Sequence, residues 1–266
     1  MTMHRVVLCA DDYGLSPGVS RGIRELLSAD RLSATSCMVV YPEFLADGPL
    51  LRPWFGKVDI GLHFTLTTKR PVAGLLRDAY LGRVDASATT AELERQLAVF
   101  TEVIGRAPDY IDGHQHVHLL PGVREVVTDA ARRIGAYVRS TREPIGLTMG
   151  ARPSPVEAAF LSWTAGPLDR LIRSAGLASN SGFRGVRTFR EAAPYRVLFQ
   201  RMIAGARDGC LVMCHPGMAD AVLAQRDQVT SVREAELRYF ASDEFAVDLT
   251  HAGLTLSRLA DIARAD

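Results

Sequence analysis

Five of the seven histidines in this 266-residue chain, and one pair of adjacent aspartates, stand at the ends of short apolar runs. Asp11-Asp12 come just after Val6-Val7-Leu8-Cys9, and His63 ends the run that starts at Val58. Asp112-Gly113-His114-Gln115-His116-Val117-His118 continues from Tyr110-Ile111, and His215 comes straight after Leu211–Cys214. Two imidazoles and one carboxylate form a three-ligand set for a divalent ion that keeps positions open for water and substrate. Such a set suits hydrolysis, because the ion lowers the pKa of a water and polarises a carbonyl. A second carboxylate beside it can take the proton. Asp11 and Asp12 suit that division of labour, one ligating and one accepting, although spacing does not say which does which. Each element has a plainer reading too. An Asp pair caps turns, a single histidine at a strand end is often a core residue, and His215 before Pro216-Gly217 can anchor a turn.

What must position these residues is an alternation of strands and helices. Strands are expected at Val6–Cys9, Ala34–Val40, Val58–His63, Tyr110–Asp112, Tyr137–Arg139, Val186–Thr188, Leu211–Cys214 and Leu254–Leu256. Ser16-Pro17 reads as an N-cap followed by proline at the first helical position, with Ile23, Leu26 and Leu27 on one face. Thr89-x-x-Glu92 reads as a capping box before a helix that stops at Gly105. A further helix is expected from Gly122 to Ile134, one opening at Ser231, and one at the C-terminus. Thr65–Ala88 and Arg142–Ser154 read as long loops over a site. The pattern predicts an α/β fold in which a parallel sheet is covered by helices. In such folds the carboxyl ends of the strands share one rim, which gathers all four segments. No Gly-rich phosphate loop follows the first strand. One domain over 1–266 is expected.

Composition narrows the function classes. With 31 basic and 30 acidic residues, the net charge of +1 offers no footprint for nucleic acid. No apolar stretch approaches the roughly 20 residues of a membrane span. Four cysteines lie mostly in apolar runs, unlike a disulfide framework, and acidic residues interrupt the N-terminus before a secretory segment forms. A reduced, cytoplasmic protein is expected. Lysine occurs only at positions 57 and 69, so arginine supplies nearly all the positive charge.

Ala10–Ser16, Gly61–Thr67, Asp112–His118 and Cys214–Gly217 together resemble the motifs of the YdjC-like carbohydrate deacetylases, in that family's order. The resemblance implies a TIM-barrel-like (β/α) barrel, irregular or incomplete in its closure, and often a homodimer. It implies metal-dependent removal of an N-acetyl group from a sugar, either an oligosaccharide or a glycoconjugate. Carried over residue by residue, it makes Asp12, His63 and His114 ligands of one divalent ion, zinc, magnesium or another. Asp11 then matches the catalytic base. Tyr13 stands where phenylalanine is usual, and Gly113 and Gln115 where serine and histidine can occur. His215 is the candidate to orient substrate or protonate the leaving amine, and Tyr13 and Phe64 are candidate sugar contacts. His116 and His118 are assigned no ligand role. The competing readings are a metal-dependent phosphoesterase and a catalytically silent sugar-binding barrel.

Overall fold

The computed structural model describes residues 3–68, 70–143, 150, 152–227 and 229–262. Strands β1 (His4–Tyr13), β2 (Ala34–Cys37), β3 (Asp59–Phe64) and β4 (Tyr110–Gly113) follow in sequence. They are joined by helices α1 (Pro17–Ser28), α2 (Glu43–Asp47), α3 (Val72–Tyr80) and α4 (Ala86–Ile104). After α5 (Arg124–Ile134) come β5 (Tyr137–Val138), α6 (Pro155–Ser174), β6 (Gly182–Arg184), α7 (Tyr195–Ile203) and β7 (Cys210–Cys214). The chain continues through α8 (Ala221–Arg226), α9 (Ser231–Ala241), α10 (Asp243–His251), β8 (Leu254–Leu256) and α11 (Leu259–Ile262).

The strands pair in parallel in the order β5-β4-β3-β2-β1-β7-β6, and β8 adds to the start of β1. Among the described residues β5 and β6 share no strand pairing, so the barrel is open at that seam. Asn180 spans the opening. Its side-chain oxygen accepts from Ser140 N (2.9 Å), and its amide donates to Ser140 O (2.9 Å) and Gly182 O (2.8 Å). The expected parallel α/β barrel with incomplete closure is therefore what forms.

Strand alternation sorts the core into two layers. Val6, Leu8 and Ala10 of β1 join the large cluster under the helices. Val7 and Cys9 join Tyr110, Phe183, Leu211 and Met213 in a second, smaller cluster. Helix α1 is capped as expected, Ser16 Oγ accepting from Val19 N at 3.2 Å. Its Gly18 and Gly22 let the turn after His215 come close, since a Cβ on Gly18 would lie 2.4 Å from Met218 O.

Several boundaries differ from expectation. Helix α4 starts at Ala86 because Asp85, not Thr89, is the cap, accepting from Ser87 N and Ala88 N. Thr65–Ala88 is not one loop, since it holds α3. The strand expected at Val186–Thr188 lies earlier, as β6, and β2 ends at Cys37. The sequence reading did not anticipate α6 or α7. Of the expected loop Arg142–Ser154, residues 144–149 and 151 lie outside the described residues.

Candidate active site

Consecutive residues of a strand face opposite ways, so Asp11 and Asp12 should not share a cavity. They do because β1 bulges there. Against β2 the register steps from Ala10↔Thr35 to Tyr13↔Cys37, which places one extra residue on β1. Asp12 takes a left-handed φ of 72°, uncommon for a residue with a side chain. Both carboxylates then line a cavity of about 690 Å³, together with His63, His114, Arg139, His215 and Arg233.

His63 and Asp112 are register partners on β3 and β4, and Asp112 Oδ1 lies 2.6 Å from His63 Nδ1. Ser36 Oγ donates to the same carboxylate oxygen at 2.6 Å. This pairing turns His63 Nε2 toward Asp12 Oδ1, 3.4 Å away. His114 Nδ1 approaches that oxygen to 3.1 Å from the other side. One ligand atom from each of Asp12, His63 and His114 can be chosen so that all lie within 4.8 Å of one another. A second cluster of that kind, Asp11, His63 and Asp112, already encloses a cation. Arg139 Nη1 lies 2.7 Å from Asp11 Oδ1 and 3.0 Å from Asp112 Oδ2. In the first cluster an arginine takes only the outer oxygen, Asp12 Oδ2, while Asp12 Oδ1 faces both imidazoles, a donor set that suits a divalent ion. A carboxylate behind a ligating imidazole is the usual support for one.

The charges are buried and matched. Asp12 Oδ2 accepts from Arg233 Nη2 at 2.6 Å, and Arg233 also reaches Asp227 at the same distance. Burial raises the Asp12 pKa, but Arg233 first, then His114 and His63, bring it well below the usual carboxylate range. For Asp112 too, burial is outweighed, by Arg139 and then His63, and the net shift is downward. Burial opposes a charge on His63, yet Asp112 and Asp11 prevail and push it up to about 10. Asp11 is gripped by both Arg139 amino groups at 2.7 and 2.9 Å, with the Cys9 thiol beneath it at 3.3 Å.

The remaining histidines separate by position. His118 is fully buried, its pKa driven down to about 3 by burial and by the Arg139 charge, and its Nε2 donates to Arg139 O at 3.0 Å. His116 lines the cavity beside Phe183. Gln115 and His116 both adopt left-handed backbone, so the three histidines after β4 leave the strand in different directions. Gly113 must lack a side chain, since a Cβ would meet His118 N at 2.9 Å. His215 lines the cavity too. Its backbone N donates to Glu236 at 2.6 Å, Phe189 packs edge-on against its ring, and burial lowers its pKa despite Asp12 and Asp11 nearby.

Tyr13 and Phe64 are not at the cavity. Both are fully buried in the large core cluster, and the Tyr13 hydroxyl donates to Asp47 O at 2.6 Å, which leaves neither ring free to contact a sugar. The sequence reading missed Arg139, Arg233 and Glu236. Arg139 carried a signal, as a charged residue closing an expected strand at the same rim. Arg233 and Glu236 sit on α9 and carried none.

Comparison with known proteins places the chain in a family. Over 249 residues the chain is 32% identical to a carbohydrate deacetylase of Homo sapiens, covering 80% of this chain and 75% of that protein. Over 274 residues it is 27% identical to a chitooligosaccharide deacetylase of Serratia marcescens, covering 97% and 98%. Its fold is similar to a crystal structure from Enterococcus faecalis V583 named for cellobiose-phosphate cleavage. There the TM-score is 0.71 at 18% identity, with 98% and 99% of the two chains covered. A family model described as YdjC-like protein matches residues 5–251, and the chain belongs to that family.

Proposed function

We propose that this protein is a divalent-metal-dependent hydrolase that removes the acetyl group from an N-acetylated sugar. The observation that carries the reading is the convergence of Asp12, His63 and His114 on one cavity wall, with Asp11 at their side. The names of the relatives supply the substrate class. One carboxylate and two imidazoles are the donor set of hydrolytic metal sites, so the residues fit the ion. A divalent ion held by Asp12, His63 and His114 supplies Lewis acidity for the acetamide carbonyl and for the attacking water.

The chain's own groups do the rest. Asp11 takes the proton from the water, held in place by the fork of Arg139. Asp112 fixes the ring of His63 so that Nε2 faces Asp12 Oδ1, where it would be available to an ion. His215, kept at the cavity wall by Glu236 and Phe189, relays to the leaving nitrogen the proton that Asp11 took from the water, so both side chains return to their starting state. Water and amide thus become acetate and amine. The four cysteines are free and buried, which fits a reducing cytoplasm. Within the described residues no helix is long and apolar enough to cross a membrane.

The test is acetate release from a panel of N-acetylated sugars by metal-loaded protein. Wild type should free acetate and the matching amine in equal amounts, with Asp11→Asn slower by about 10²-fold or more. No acetate from any sugar, or equal rates for the two proteins, ends this reading.

A further inference from the structure

The cavity lining is of two kinds. Tyr41, Arg226, Asp227 and Arg233 offer partners for sugar hydroxyls. Helix α6 contributes Val156, Phe160 and Leu161, with Glu157 its one charged side chain there. Val156 and Phe160 also extend outward, 76% and 53% exposed, and Trp163, 70% exposed, continues the same face. Spacings of four and three residues stack these side chains along one side of the helix. The Phe160 and Trp163 rings lie 6.5 Å apart. A contiguous exposed patch of this composition marks a binding surface.

We propose that this face of α6 is a subsite for an apolar group attached to the sugar, so that the substrate is a glycoconjugate with an alkyl or aryl aglycone. The inference rests on the deacetylase reading and deepens it. A substrate group fits the face better than a separate partner because Val156 and Phe160 line the same cavity as Asp12, His63 and His114. An aglycone reaches them without leaving the enzyme. Val156, Phe160 and Leu161 offer the hydroxyls of further sugar units few partners, so an alkyl or aryl group gains more from this face than another sugar does. A cavity of about 690 Å³ lies in the range that accepts a ligand of drug size rather than a single ring.

The experiment uses methyl and hexyl glycosides of N-acetylglucosamine, the latter below its micellar concentration, with metal-loaded full chain. Acetate release and tryptophan emission are both followed. The hexyl glycoside should show a KM at least about tenfold lower than the methyl one, since burying even two methylenes is worth that much. Its binding should shift the emission of Trp163. In Phe160→Ser and Trp163→Ser the ratio of the two KM values should fall toward unity. Equal KM values in wild type, or a ratio that survives both substitutions, overturn the subsite. A Trp163→Ser protein that turns from dimer to monomer with the ratio intact assigns the face to a second copy and also overturns it. The two readings fail separately. Hexyl binding at Trp163 with no acetate from either glycoside or from any sugar of the panel sinks the deacetylase alone, whereas acetate from both glycosides at equal KM sinks only the subsite.

Discussion

Strands β3 and β4 carry buried carboxylates at both ends of the sheet, and the two ends behave in opposite ways. At the base, Asp59 opens β3 fully buried, accepting from Leu259 N (2.8 Å) and Tyr137 Oη (3.2 Å), while its Oδ1 has no partner. At the rim, Asp112 is just as buried but lies against Arg139, His63 and Ser36. Burial and then the nearby Asp109 push Asp59 up to about 6, whereas Arg139 and His63 hold Asp112 down. Burial alone therefore does not decide a carboxylate's charge. A buried cation beside it does, and of these two carboxylates only Asp112 has one.

The strongest way to break this contrast is to remove the cation. Arg139→Met leaves Asp11 and Asp112 buried without their partner, and should cost about 3–5 kcal/mol of stability in urea unfolding. A loss below about 1 kcal/mol would show that the rim charges are not held by Arg139. The base is tested by pH. Because the Asp59 pKa is raised in the folded state, the folded chain binds a proton there more tightly than the unfolded one does. That contribution is present below pH 4 and is lost as pH rises toward and through 6. The stability of Asp59→Asn relative to wild type should thus improve by roughly 2–3 kcal/mol between pH 4 and pH 7. A difference that stays flat with pH would contradict the pairing described. The smallest effect belongs to orientation at the rim. Asp112→Asn keeps the shape but weakens the hold on His63, and should cost about 10–100-fold in metal affinity by calorimetry.

The same contrast explains what was legible in the sequence. Asp11, Asp12, His63 and His114 were readable because a parallel sheet sends the ends of its strands to one rim, and each follows an apolar run. Asp59 opens its strand instead of closing it, so its position carries no such signal. What escaped was set by tertiary contact. The bulge that turns Asp11 and Asp12 the same way is a matter of register with β2, invisible along β1 alone. Arg233 and Glu236 reach the site from a helix whose pattern records only its own period. Tyr13 and Phe64 lay inside the motifs yet point into the core, because motif membership does not fix the face a side chain takes. Helices α6 and α7 were lost to weak local signals, and with them the apolar wall.

Metal stoichiometry of single variants tests the central claim most directly, because two carboxylate–histidine clusters compete for the ion. If Asp12, His63 and His114 hold it, wild type and Asp11→Asn each bind one equivalent of zinc or cobalt by elemental analysis after dialysis. Asp12→Asn, His63→Ala and His114→Ala then retain little. Full occupancy in Asp12→Asn and His114→Ala, with loss in Asp11→Asn, would place the ion in the other cluster and contradict the account.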